Sequence, residues 1–289
     1  MSMTTASASS PSKHWLLLAP ATAFIGVLFL APVLQLLIAS VIETQSDGSW
    51  AFTLARYESF FADSYNLRLM LRTLGISLAT VLASLVLAFP VALYMRELSP
   101  RKRAFLAILL LSPLLTSLVV RTLAWVVLLG PKGLLNGWLA HFGLPAVTLM
   151  YNVTGVVIGL THVYFGYMLL CLMTSVLKID NSLLLAAQNL GASRWRVIWH
   201  VILPLCTPGI VAGSILVFTM SASAYVTPDL LGGTNMKVMA SEIYDLAINY
   251  LEWREAATVA AILFIAVWAV VAVAAKLGER PNLVGGGKS

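Results

Sequence analysis

Six apolar runs, Trp15–Ile42, Thr73–Tyr94, Ala104–Leu129, Thr148–Val176, Val201–Ser223 and Ala256–Lys276, take up most of the 289 residues of this chain. Each reaches the roughly 20 residues that a helix needs to cross a hydrocarbon core about 30 Å thick. The runs lack the alternation of barrel strands, so helices are the spanning form. Only 10% of the residues are charged, against about 25% in soluble domains. The expected fold is therefore all-α, a polytopic membrane protein with six transmembrane helices over residues 14–277. The spans leave no room for a separate soluble domain. Residues 1–13 are polar and rich in Ser and Thr, which predicts a disordered N-terminal segment. The run after His14 is too long for the apolar core of a signal peptide and reads as an uncleaved first span. Residues 278–289 form a tail.

Basic residues orient the spans. With the N-terminus inside, eleven Lys and Arg fall on inner segments, among them the tight Arg101-Lys102-Arg103 cluster, and six fall on outer loops. This predicts cytoplasmic N- and C-termini. It also explains the net charge of +6 without nucleic acid. The segment between spans five and six carries Asp229, Glu242, Asp245, Glu252 and Glu255 against Lys237 and Arg254. Such a vestibule either draws cations or reflects the freedom of acids to sit outside. Cys171 and Cys206 lie in or beside apolar runs and read as small buried hydrophobes. No metal-ligand spacing is present. The terminal Gly-Lys-Ser imitates the end of a phosphate-binding loop, but Asn282 stands where that loop requires Gly. No nucleophile elbow or other catalytic constellation is visible, so the chain reads as a non-enzyme that binds no cofactor of its own.

Several residues inside the spans invite a functional reading. Arg121 lies in the third run, and an ionisable group at membrane depth is a functional candidate by default. It either snorkels to the outer interface, lines a pathway, or pairs with an acid such as Asp229. In the fourth run Gly155, Gly159, His162 and Gly166 share one face at helical spacing, and the Gly-x-x-x-Gly pair admits a close helix neighbour. Tyr164 and Tyr167 either line a cavity or pack. The fifth run is interrupted by Pro204, Pro208-Gly209 and Gly213. Its far end, with Tyr225, Thr227, Pro228 and Asp229, suits a gate or pocket, or else an ordinary helix exit. Irregular backbone at this depth survives only where it is buried in protein or lines a cavity.

The segment Leu185–Pro204 is unlike a plain connector. Asp180 or Ser182 can cap a short helix to about Leu190, and Gly191 suits its left-handed stop. Ser193 can cap a second helix that exposes Arg194 and Arg196. Ala186 and Ala187 keep the profile low, so another protein surface can approach the backbone. Pro204 stands where the chain passes into span five. A compact helix–turn–helix over 180–200 would transmit force to that span.

This pattern resembles the EAA motif of permease subunits of binding-protein-dependent ABC importers. That motif reads Glu-Ala-Ala, three residues, Gly, nine residues, Ile, one residue, Leu-Pro, and Ala186, Ala187, Gly191, Leu203 and Pro204 match at that spacing. Leu185 replaces the motif Glu and Val201 the motif Ile, so the contact rests on shape more than on an acidic anchor. Val120–Gly130, Leu149–Asn152 and Val226–Gly233 are similar to the spermidine/putrescine permease subfamily, a likeness that runs from about Leu71 to Lys276.

The resemblance implies a type I ABC importer permease (MetI-like) fold, in which Ala186, Ala187, Gly191, Ala192, Arg194 and Pro204 couple to an ATPase. Arg121, Tyr164, Tyr225, Thr227 and Asp229 are the candidate pathway or gate residues, on their polar character in and beside the spans. The partners would be a second permease subunit, two ATPase subunits that bind the ATP, a periplasmic solute-binding protein and the lipid bilayer. The solute would be a polyamine such as spermidine or putrescine, with an opine, phosphonate or other small solute as the alternative. A stand-alone channel or secondary transporter is the rival class; it calls for ion-coupling carboxylates near the midplane, and the runs show none.

Overall fold

The structure is a computed structural model that describes residues 12–44, 49–233 and 236–278. The expectations for the N-terminal segment and the C-terminal tail, its Gly-Lys-Ser end included, lie outside those residues apart from Ser12, Lys13 and Gly278. Helix α1 (Ser12–Val41) is the first span. A small antiparallel hairpin, β1 (Ile42–Thr44) and β2 (Trp50–Phe52), pairs Ile42 with Phe52 and leads through α2 (Ala55–Ala62). The second span, α3 (Ser64–Glu97), has 34 residues. At 1.5 Å per residue it is about 50 Å long and overshoots the hydrocarbon. Asp63 starts it by accepting from the Tyr65 amide at 2.8 Å. The Ser99-Pro100 step ends it, since the residue before proline avoids helical backbone. Arg103 then serves the last carbonyls, donating from Nε to Met95 O and from Nη2 to Arg96 O and Leu98 O.

The third span departs from expectation. Ala104–Leu129 is not one helix but α4 (Pro100–Leu111), a 3-10 turn (Ser112–Leu115) and α5 (Leu118–Leu129). Pro113 lacks the amide that would continue α4, and Thr116 and Ser117 are extended, with ψ of 144° and 134°. The 12 residues of α4 reach only about 18 Å, so the stretch long enough to cross is Leu118–His141, which α6 (Leu134–His141) completes. The fourth span, α7 (Val153–Val176), starts later than its apolar run because Asn152 caps it, accepting from the Gly155 amide at 2.9 Å.

The fifth span also departs. In place of a straight Val201–Ser223 helix, the chain forms α8 (Asn181–Asn189), α9 (Arg194–Val197), a π-helical turn (Ile198–Ile202), α10 (Leu203–Leu205) and α11 (Thr207–Ala222). Arg194–Leu205 meets Thr207–Ala222 at a 66° bend. Pro204 and Pro208, on either side, cannot donate backbone bonds across it. The chain then turns back as α12 (Val226–Gly232), continues through α13 (Met239–Tyr244) and a π turn (Asp245–Asn249), and ends in α14 (Trp253–Gly278). Among the described residues five helices are long and apolar enough to cross a membrane, six if the bent pair is one span.

Helix α7 is the centre of the bundle: 61% of its most apolar window is buried, against 6% for α1, which packs on α14 at the edge. Helices α3, α7 and α11 pack mutually around Ala88, Met95, Leu160, Met168, Leu172 and Val217. Small residues bring the backbones close. A Cβ at Gly209 would meet Ser175 Oγ at 2.5 Å and the Cys171 carbonyl at 2.7 Å, and one at Gly213 would meet Met168 Sδ at 2.6 Å. Gly159 does the same for α12, whose Leu231 and Thr227 side chains occupy the place of its absent Cβ. On α3 the buried Thr73, Ser77 and Thr80 hydroxyls donate to carbonyls one turn back, and Thr73 also accepts from the Met239 amide at 2.9 Å.

Gly159→Val forces a branched side chain into Leu231 and Thr227 of α12. Overpacking of this kind costs about 1–3 kcal/mol, so thermal melting in nanodiscs is expected at a lower midpoint. Gly137→Ala, where nothing lies within 4 Å, serves as control. Equal midpoints for the two variants would rule out the close α7–α12 contact.

Candidate functional site: a docking face and a broken span

Two regions carry the chemistry. The first is the face of α8 and α9 at the end of the bundle that bears the Arg101-Lys102-Arg103 cluster. Of the two candidate caps, Asp180 is the one used: its carboxylate accepts from the Ser182 amide at 2.9 Å. Those bonds hold its carboxyl below the usual carboxylate range. Helix α8 stops at a Schellman turn. The Gly191 amide bonds to Gln188 O at 2.9 Å, the Ala192 amide bonds to Ala187 O at 3.1 Å, and Gly191 sits at φ +81°. Ser193 caps α9, accepting from the Arg196 amide at 3.4 Å.

Ala187 and Ala192 are half-buried against the core, while Ala186, Gly191, Arg194 and Pro204 are exposed. No atom of this chain outside its immediate neighbours comes within 4 Å of a Cβ built on Gly191, so the surface there is open. Leu185, Leu190, Trp195 and Trp199 add an exposed apolar patch, with the two indoles 5.8 Å apart. Beneath it, Arg96 at the end of α3 donates from Nη2 to Ile179 O at 3.0 Å and to Asn181 Oδ1 at 2.6 Å. This ties the start of α8 to α3. Arg96 was not among the residues expected from sequence; its only signal was a basic residue at a span end, which topology already explained.

The second region is the break before α5. Arg121, Thr122, Trp125 and Leu129 form the inward stripe of α5. Arg121 is 9% exposed. Its Nη2 donates to Thr116 O at 3.3 Å, while Nε and Nη1 are buried without a partner. One turn on, Trp125 Nε1 donates to His162 Nδ1 at 3.1 Å. These two rings border a cavity of about 480 Å³ between α3, α4, α5 and α7, with Pro113, Thr161 and Phe165 among its walls. Pro113 and Trp125 were also missed.

The other pathway candidates are dispersed. The Tyr164 hydroxyl is buried and donates to Met220 O at 3.0 Å, which ties α7 to α11. Thr227 is buried and shares a 3.1 Å hydroxyl bond with Thr122, joining α12 to α5. Tyr225 stacks on Tyr244 with ring centres 4.4 Å apart. Asp229 is exposed and makes no ion pair with Arg121 among the described residues. Near that end Lys237 bridges Asp245 at 2.6 Å and Glu242 at 3.5 Å. The hydrogen bond to Asp245, above all, raises the Lys237 pKa above its ordinary value. Its contribution is present below the unfolded value of about 10.4 and is lost only as pH rises through the higher folded value, so this latch holds through neutral pH. Among the described residues no cluster of His, Cys, Asp and Glu could hold a metal.

Comparison with known proteins names the class. The family model for binding-protein-dependent transport system inner membrane components matches residues 105–278, more than half the chain. The spermidine/putrescine transport system permease protein PotB of Escherichia coli (strain K12) is 31% identical over 232 residues, 78% of this chain and 84% of that protein. A putative 2-aminoethylphosphonate transport system permease protein of Salmonella typhimurium (strain LT2) is 32% identical over 144 residues, 49% of this chain and 50% of that one. The permease chain in the crystal structure of a bacterial alginate ABC transporter in complex with an alginate-bound periplasmic protein superposes with a TM-score of 0.77, at 19% identity over 93% of this chain and 96% of that one; this shows the fold. The chain thus belongs to the binding-protein-dependent transport system inner membrane components. It is a multi-pass inner-membrane permease subunit of an ABC importer, with the MetI-like fold.

Arg96→Ala frees the start of α8. A hydrogen bond from a charged donor is worth about 1.5–3 kcal/mol, and less at a half-exposed site. Amide exchange in residues 182–190 is expected to speed up about tenfold while α7 is unchanged. Equal protection in the variant and the parent would show that the tie carries no stability.

Proposed function

We propose that the chain is the non-catalytic permease half of an importer that takes a polyamine from a periplasmic binding protein and passes it inward by alternating access. The observation that carries this reading is the α8–α9 face. It is a capped, Schellman-closed unit with an open surface at Gly191, an exposed apolar patch, and firm ties to α3 and to the bent α10–α11 segment. A face so built suits a docking partner that moves it as one body. The basic residues at that end support a cytoplasmic placement, with both termini inside. ATP would be bound and hydrolysed by two separate ATPase subunits, and a second permease subunit would complete the pathway. The polyamine assignment is supported by the likeness to the spermidine/putrescine permease over most of its length. It is also supported by the stacked Tyr225 and Tyr244 rings and the exposed Asp229 beside Tyr225, which suit ammonium groups.

One observation favours a second solute class. It is the likeness of about half the chain, 49% of its length, to a putative 2-aminoethylphosphonate transport system permease protein.

Two substitutions at one position test the docking face. Gly191→Ala carries only the left-handed backbone penalty, about 1–2 kcal/mol, and should keep most ATP-dependent uptake. Gly191→Trp fills the open surface and should abolish uptake and ATPase co-purification, while the chain still inserts. Normal uptake by Gly191→Trp would falsify the docking assignment. ATP-independent uptake by the parent would instead point to a channel or secondary transporter. Competition of labelled putrescine uptake by spermidine and by 2-aminoethylphosphonate distinguishes the two solute classes.

A further inference from the structure

Arg121 is the most anomalous side chain in the bundle. A guanidinium stays charged at any pH a cell meets, and a buried charge is ordinarily paired or fully hydrogen-bonded. Arg121 is neither. It makes one bond, 3.3 Å long, to Thr116 O, leaves Nε and Nη1 buried without partners, and belongs to no ion pair among the described residues. The facing helix repeats the deficit: the Thr161 hydroxyl of α7 is 5% exposed and also lacks a partner. Thr161 lines the 480 Å³ cavity together with Trp125, which lies one turn from Arg121 on the same face of α5. So two helices carry under-satisfied polar groups, Thr161 on the cavity wall and Arg121 one turn from the wall residue Trp125, and that cavity adjoins the chain's break at Ser112–Ser117.

Removing the charge, not the contact, is therefore what would settle this packing. Replacing a buried, unsatisfied charge by an apolar group of similar size removes the desolvation cost of its unmade hydrogen bonds. An arrangement that natural sequence leaves under-satisfied is a candidate for one of two states in a cycle, since strain of this kind persists at switch regions. The break supplies the freedom to relieve it. Thr116 and Ser117 are extended and outside any helix, so α5 can swing on them.

We propose that Arg121 is a conformational spring: it disfavours the packed arrangement of α5 against α7 and favours a second one, in which these helices part and water and the Thr161 hydroxyl reach its guanidinium. The inference rests on the importer reading, because it needs a cycle between two states, but not on the identity of the solute. Arg121 is then a positioning residue rather than a solute ligand. Its charge sets the balance between the states and so the rate of transport.

The test uses the full importer, with its partner subunits, in nanodiscs. R121M keeps the length and removes the charge. The expected result is a melting midpoint raised by roughly 3 °C or more, the scale on which one unsatisfied group registers in a chain of this size, together with ATP-dependent uptake reduced about tenfold. R121K, which keeps a charge, should restore most of the uptake. A lowered midpoint, or failure of R121M to assemble, would overturn the proposal, because it would make Arg121 an ordinary packing residue. A raised midpoint with unchanged uptake would overturn it as well. If the parent itself shows no ATP-dependent uptake, the importer reading fails, while the melting arm still reports whether the charge is strained.

Discussion

Close approach to α7 is the interaction on which the rest of this structure depends. In hydrocarbon, apolar side chains gain little by leaving lipid for protein, so helices associate through tight backbone packing and the few polar bonds that cross between them. Gly209 and Gly213 let α11 lie against α7, and Gly159 lets α12 do the same. Tyr164 then bonds across to Met220 O, and Thr122 bonds to Thr227. The Tyr164 bond lies on the α7–α11 interface that Gly209 and Gly213 open, and the Thr122 bond ties α12, seated on Gly159, to α5. The apolar surface left on α1, α4 and α5, such as Phe24, Phe29, Phe105 and Ile108, faces lipid or a neighbouring chain at no cost.

The span count and the basic end were legible because hydropathy and charge act locally. Asp180, Gly191 and Ser193 were legible for the same reason: caps and left-handed stops are chosen by residues a few positions apart. The breaks were not. Pro20, Pro32 and Pro90 lie inside α1 and α3 without ending them, whereas Pro113 ends α4 after a short turn. Residue type alone does not separate these cases, since a membrane helix tolerates proline when other groups satisfy the freed carbonyls. The difference at Pro113 lies in partners distant in sequence or beyond the break, such as Arg121, which donates back to Thr116 O.

The pathway candidates show the same limit. Tyr164, Thr227 and Arg121 share polar character at membrane depth, and from sequence that marks them alike. In the structure Tyr164 and Thr227 have found partners and join helices, while Arg121 has not. Polar residues at depth are expensive in every case. What separates fasteners from sites of change is satisfaction, which is a property of the assembled interior and is invisible to composition or spacing.

The route by which the α8–α9 face reaches the interior runs through the bend at Cys206. The Cys206 amide bonds to both Ile202 O at 2.9 Å and Leu203 O at 3.2 Å, and its side chain is fully buried, so the bend is anchored rather than loose. Pro204 and Pro208 remove the amides that could straighten it into a continuous helix. On the proposed docking reading, a displacement of α8 and α9 would arrive at α11 as a rotation about this anchored elbow. Helix α11 ends at Ala222, next to the Met220 carbonyl that Tyr164 holds, and α12 follows at once, bonded through Thr227 to α5. The α8–α9 face is thus connected to α5 in three steps: the Cys206 elbow, the direct passage of the chain from α11 into α12, and the Thr227–Thr122 bond. The final step meets a helix whose own preceding turn is broken and whose arginine is under-satisfied. Rigid links that end on a strained, hinged element are what a small displacement at one face requires if it is to become a change of state at the other.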